Sequence, residues 1–133
     1  MTLLTDMEYY LGTQGLGAGL FAGNLPDNPT DTVAMFQYAG RAPEYVMSVT
    51  DEGTPIAITR ERPGLQLQSR AQYDADAEEN IYRYKAALEF IVNQTINGTY
   101  YVRISCISAP YHLRKDEQNR AVWACNFATE KEM

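Results

Sequence analysis

One histidine, His112, two cysteines, Cys106 and Cys125, and scattered carboxylates are the side chains that could move a proton, attack a carbon or hold a metal. A zinc site on His112 would need thiolates or carboxylates at ligand spacing around it, and none stands there. A Cys–His nucleophile needs an accessible thiol beside its base. Both cysteines instead fall on faces that read as the inward side of strands, where a thiol packs as a small hydrophobe. Asp51-Glu52 and Asp116-Glu117 are adjacent pairs whose side chains diverge in a strand or turn, so they read as solvated turn residues and not as an acid–base couple. The glycines between Gly12 and Gly23 lack the G-x-G-x-x-G spacing, and no Gly-Lys-Ser/Thr occurs, so no nucleotide cradle is indicated. Asn93-Gln94-Thr95 and Asn97-Gly98-Thr99 match a glycosylation sequon but read as a helix end and a turn. Arg41, Arg60, Arg62, Arg70, Arg83 and Arg103 are interspersed with acids, which suits surface or intersubunit ion pairs better than a phosphate-binding stripe. No catalytic, cofactor or metal-binding residue is nominated.

The elements that position these residues belong to one domain. The chain has 133 residues, 45% hydrophobic and 21% charged, the balance of a folded protein. Its net charge of −6 disfavours a broad phosphate-neutralising face. No apolar run approaches a membrane span, and the first residues lack a signal peptide's basic and apolar regions, so synthesis and folding in the cytoplasm are expected. Two cysteines are too few for a disulfide scaffold. Tyr is over-represented, with 10 residues against 4 Phe and 1 Trp. Such rings suit either the core's edge or surfaces buried on association.

Leu4, Met7 and Leu11 recur at helical spacing, widened by Leu3 and Tyr10, so residues 2–14 read as a helix capped by Thr2, with Asp6 and Glu8 toward its positive end. The glycine-spaced run 15–19 leads to a short strand at 20–23, and residues 24–32 are turn chemistry. Residues 32–39 read as an interior strand covered on both faces. Residues 40–63 read as a projecting arm or hairpin, with strands at 45–49 and 55–59 joined through 51–54. In residues 64–71, Leu65 and Leu67 alternate with Gln66, Gln68 and Arg70, which implies one buried face. Residues 74–93 read as a long helix with Ile81, Tyr84, Leu88, Ile91 and Val92 on its stripe and carboxylates at its start. Asn97-Gly98 marks a tight turn before a strand over 100–108, with Val102, Ile104 and Cys106 on one face. A polar tip at 115–120 leads to a last strand over 121–128 carrying Trp123, Cys125 and Phe127. The sum is an α+β single domain, an antiparallel or mixed sheet packed against two helices.

Several local patterns, in their order, carry a resemblance. They are Leu3-Leu4-Thr5-Asp6, Tyr10-Leu11, Gly15-Leu16-Gly17, Leu20-Phe21-Ala22-Gly23 and Leu25-Pro26-Asp27-Asn28-Pro29. They continue with Tyr38-Ala39-Gly40, Pro63-Gly64-Leu65-Gln66, Ile96-Asn97-Gly98-Thr99-Tyr100-Tyr101, and Arg120 leading into Cys125-Asn126-Phe127. Over nearly its whole length the chain resembles the small minor capsid or tail terminator proteins of long-tailed bacteriophages. The resemblance implies a non-enzymatic virion protein without cofactors, made in the host bacterial cytoplasm. It implies a homo-oligomeric ring, expected to be a hexamer, at the head-proximal end of the tail. Its partners would be the major tail tube protein and the head–tail connector, and DNA would pass its acidic lumen without specific binding. Tyr45, Val46, Met47, Ile56 and Ile58 in the 40–63 arm are the expected oligomer or tube contacts. The alternatives are a head-completion protein on the head side of the neck and, more remotely, a small cytoplasmic enzyme.

Overall fold

In the computed structural model, which describes residues 2–49 and 51–132 with side chains omitted at 45–49 and 55–58, Thr2 caps the first helix. Its Oγ1 accepts the Thr5 N–H at 3.2 Å, and helix α1 runs Leu3–Thr13. Leu3, Met7 and Leu11 are its buried stripe, while Leu4 only edges the core. A three-residue strand β1, Leu20–Ala22, follows and pairs in parallel with β2, Thr32–Val49. Antiparallel β3, Pro55–Ala71, returns beside β2. Helix α2 is Asp74–Leu88, and β4 Val92–Ile96, β5 Thr99–Lys115 and β6 Ala121–Glu132 complete the chain. The mixed sheet has the order β1-β2-β3-β6-β5-β4, so the α+β class with two helices on one sheet is what forms.

Both helices pack on the same face, α2 across β3, β5 and β6, and α1 beside β1, β2 and β4. Leu65, Leu67, Cys125 and Phe127 meet Ile81, Tyr84 and Leu88 there in one core. Alternation along β3 turns Gln66 and Gln68 to the opposite face.

The expected pairing of 45–49 with 55–59 is present in the backbone, from Tyr45 opposite Thr59 to Val49 opposite Pro55. These are not separate short strands but the outer ends of β2 and β3. The base of the hairpin is three-stranded, because Arg60 and Glu61 also lie opposite Glu132 and Lys131 of β6.

Three expectations need correction. The second helix stops at Leu88, not at 93. The Ile91 carbonyl accepts the Ile104 N–H at 3.0 Å and Asn93 takes φ +47°, so the chain joins β5 as strand β4 and Val92 is exposed. In β5, a bulge between Tyr101 and Arg103 puts Tyr101 and Ile104 inward and leaves Val102 half-buried. In β2, both faces are covered only at Thr32, Val33, Ala34 and Met35, since Gln37, Tyr38 and Ala39 are exposed.

Candidate assembly surface

The side chains with chemical potential are occupied in structural tasks. The His112 ring stands edge-on to Trp123, with centroids 6.2 Å apart, and its Nε2 lies 3.8 Å from the Asp74 carboxylate. That carboxylate also accepts the Trp123 Nε1–H at 2.8 Å. Cys106 and Cys125 are free thiols with sulfurs 3.6 Å apart. Burial, reinforced by the neighbouring Cys106, pushes the Cys125 thiol up to about 12, so at neutral pH it is protonated and a poor nucleophile. Among the described residues, no three His, Cys, Asp or Glu side chains gather where they could hold a metal. No helix of the described chain is long and apolar enough to cross a membrane.

Asp6, expected only to complement the helix dipole, is fully buried. Its carboxylate accepts the Tyr101 hydroxyl at 2.7 Å and the Asn97 amide at 3.3 Å, which ties α1 to the β4–β5 hairpin. Burial, then Asp6 itself, raises the Tyr101 pKa far above that of a free phenol, so the hydroxyl stays a donor to this carboxylate.

The face of the sheet away from the helices divides into a roofed end and an open end. At the roofed end Arg70, expected on a solvated polar face, is 2% exposed. Its guanidinium donates to the carbonyls of Thr30 at 3.2 Å, Pro29 at 2.8 Å and Pro26, fastening the 24–31 loop over the strands. Arg120, also buried, donates to the Asp27 carbonyl at 2.7 Å and pairs with Asp116 at 2.8 Å. Burial and the charge of Arg120 both lower the Arg70 pKa. Asp116 in turn holds the hairpin tip, its Oδ1 accepting the N–H groups of Gln118 and Arg120 at 3.0 and 2.9 Å.

The open end is built around two glycines. A Cβ on Gly40 would stand 2.0 Å from the Arg62 carbonyl oxygen, so β2 can approach β3 this closely only without a side chain. A Cβ on Gly64 would stand 2.2 Å from the Tyr38 ring, which therefore lies flat across the β3 backbone. The Tyr38 hydroxyl reaches the Phe127 carbonyl at 3.4 Å. The result is a groove of about 470 Å³ walled by Tyr38, Pro63 and Ile107 and flanked by Arg41 and Arg62. A second depression continues it past Phe36 and Gln66. An amide ladder floors this region. Gln68 donates to Gln66 at 2.9 Å, Gln66 to Asn126 at 3.1 Å, and Asn126 to the Tyr111 hydroxyl at 3.4 Å. Such a surface is apolar where it is concave, floored by neutral amides and flanked by two arginines, which suits docking of a protein partner.

The expected contact residues Tyr45, Val46, Met47, Ile56 and Ile58 all sit on the hairpin continuous with this face, and their side chains lie outside the described residues. Exposed aromatics elsewhere were not singled out from the sequence. Phe90, on the turn after α2, is 80% exposed, and Tyr73, Tyr82 and Tyr9 are also largely in water. The i, i+4 spacing of Tyr82, Ala86 and Phe90 was a legible signal for an outward helical stripe.

The family model of bacteriophage tail terminator proteins matches residues 10–133. No curated protein matches the sequence. Among solved structures, a chain from the virion of a native gene transfer agent (GTA) particle is similar over 100% of this chain and 87% of its own. The TM-score is 0.56 at 9% sequence identity, a likeness of fold.

Proposed function

The chain belongs to the bacteriophage tail terminator family, and on that premise we propose that it forms a hexameric ring on the head-proximal end of the tail tube. There it ends tube polymerisation and offers the surface to which the head's connector attaches. It is a structural protein of the phage tail, and its work is contact, not chemistry.

The observation that best supports this reading is the open end of the sheet. Tyr38 and Ile107 stay exposed beside a concave apolar groove, and a surface of this kind gains free energy when a partner covers it. In a ring, each subunit meets its neighbours through two different patches, and closure limits the assembly. The β2–β3 hairpin, with Tyr45, Val46, Met47, Ile56 and Ile58, is the proposed contact to the tube or to the adjoining subunit. The net charge of −6 favours a lumen through which DNA slides without adhering.

Removing the gene tests the function. Particles made without the protein should show overlong tails and heads left unjoined in electron micrographs. Tails of normal length attached to filled heads would refute the proposal. Shortening the hairpin tests the contact, since unchanged ring size and tube binding would remove residues 45–58 from the interface.

A further inference from the structure

Helix α2 presents two stripes. Ala77, Ile81, Tyr84 and Leu88 face the core, and on the opposite side Tyr82 and Ala86 are exposed and continue into Phe90 on the turn that follows the helix. The outward stripe has a small residue between two rings, and Phe90 projects as the most exposed large apolar side chain among the described residues. Nothing in the fold requires it there, and no contact within the chain covers it. Asp74, Asp76, Glu78 and Glu79 make the turns before the stripe acidic, while Arg83 and Lys85 lie within its span, Lys85 over the Tyr82 ring at 5.9 Å and paired with Glu89.

On the far side of the sheet, the groove beside Tyr38 and Ile107 has the complementary character. It is apolar and concave, and Arg41 and Arg62 flank it. Arg62 reaches the Ala42 carbonyl at 2.9 Å and Glu44 at 3.5 Å, which holds one cation at the rim. A protruding apolar ridge on a helix with acidic first turns and a recessed apolar groove flanked by two arginines therefore sit back to back across one sheet. They cannot meet within a subunit.

We propose that the Tyr82–Ala86–Phe90 stripe of one subunit docks in the Tyr38–Ile107 groove of a second copy of this chain. This deepens the ring reading and rests on it. The contact joins unlike patches, so it is head-to-tail and repeats until a ring closes. The ring of Phe90 fills the groove, and the net acidic helix that carries it meets a groove flanked by Arg41 and Arg62, whose like charges disfavour groove-to-groove pairing.

The test uses assembled tails carrying Phe90→p-benzoylphenylalanine, irradiated and digested. The expected product is two copies of the chain joined from residue 90 to a peptide containing Tyr38, Pro63 or Ile107. Joining at any other segment, joining to a different protein, or the absence of a joined pair of copies overturns the docking. Phe90→Asp supplies a second readout, because a side chain this exposed can change without unfolding the domain. It should lower the yield of joined particles at least tenfold, and an unchanged yield overturns the proposal. The ring reading is judged separately, by the rotational symmetry of density at the head-proximal end of the tail. A ring with its contacts elsewhere would remove this interface and leave the ring standing.

Discussion

From strand β3, Leu65 and Leu67 turn toward the helices while Gln66 and Gln68 turn away, and the two directions meet different chemistry. The helix-side residues enter a dry core with Ile81, Leu88 and Phe127 and have no remaining exposure. The far-side residues join a ladder of amides that runs to Asn126 and Tyr111 and stops beside an uncovered groove. One face is finished within the chain, and the other keeps an uncovered end, which the ring reading assigns to assembly. Stability should therefore be concentrated on one face and contact on the other, and substitutions can break that division or sharpen it.

The largest effect should come from Leu67→Ala on the finished face. Deleting a fully buried leucine removes transfer free energy and leaves a cavity, so a loss of about 2–5 kcal/mol is expected in urea unfolding. Gln66→Ala, its neighbour on the other face, should cost no more than about 1 kcal/mol, the value of a partly exposed hydrogen bond. Equal losses at the two positions would erase the distinction between the faces.

Next is the polar exception inside the finished face. Tyr101→Phe removes the hydroxyl that Asp6 accepts and leaves a buried carboxylate with Asn97 alone. The expected loss is about 2 kcal/mol, within the range for an unsatisfied buried polar group. Asp6→Asn combined with Tyr101→Phe should cost less than the sum of the two single changes, because the pair acts as a unit. Additive losses would mean that the pair is not coupled.

Gly64→Ala acts on the open face. The new Cβ forces the Tyr38 ring off the β3 backbone, a rearrangement of an end-exposed side chain that should cost about 1 kcal/mol. Its effect on assembly should be far larger than on folding, because Tyr38 walls the groove. Adding Tyr38→Ala should restore most of the lost stability and none of the assembly. Restored assembly would show that the groove's wall does not matter.

How much of this division was legible before the fold is seen depends on the range of the interaction. Thr2 as a cap, the stripe of Met7 and Leu11, and Asn97-Gly98 as a turn are local, and their chemistry is written within a few neighbouring residues. The alternation of Leu65 and Leu67 with Gln66 and Gln68 showed which face is dry. Strand β4 was hidden because Ile91 and Val92 continue the helical period of α2, and only the bond from Ile104 N–H to the Ile91 carbonyl pulls the chain into the sheet. Arg70 read as a solvated cation because its partners, the carbonyls of Pro26, Pro29 and Thr30, lie some forty positions away. The groove had no sequence signature at all, since it exists only where Gly40 and Gly64 let two distant strands close up around Tyr38.

The smallest expected effect separates the roofed end of the outer face from everything else. Burial acts to raise the Asp116 pKa, but hydrogen bonds from the Arg120 backbone and guanidinium and from the Gln118 N–H outweigh it and hold the carboxyl below its ordinary value. A depressed folded-state pKa means that the group's stabilising contribution is complete above its unfolded value of about 3.9, and fades as pH falls through the lower folded value. Acid should thus release Arg120 from its carboxylate and loosen the hairpin tip and the 24–31 loop that Arg120 also holds. The amide signals of residues 25–31 and 116–120 should shift below pH 4 while those of Leu65, Leu67 and Cys125 stay put. In Asp116→Asn the same shifts should be reduced, because the titrating group is gone. Core and loop signals that move together, with the same midpoint in both proteins, would show that the roof is held by the fold as a whole and not by its own charges.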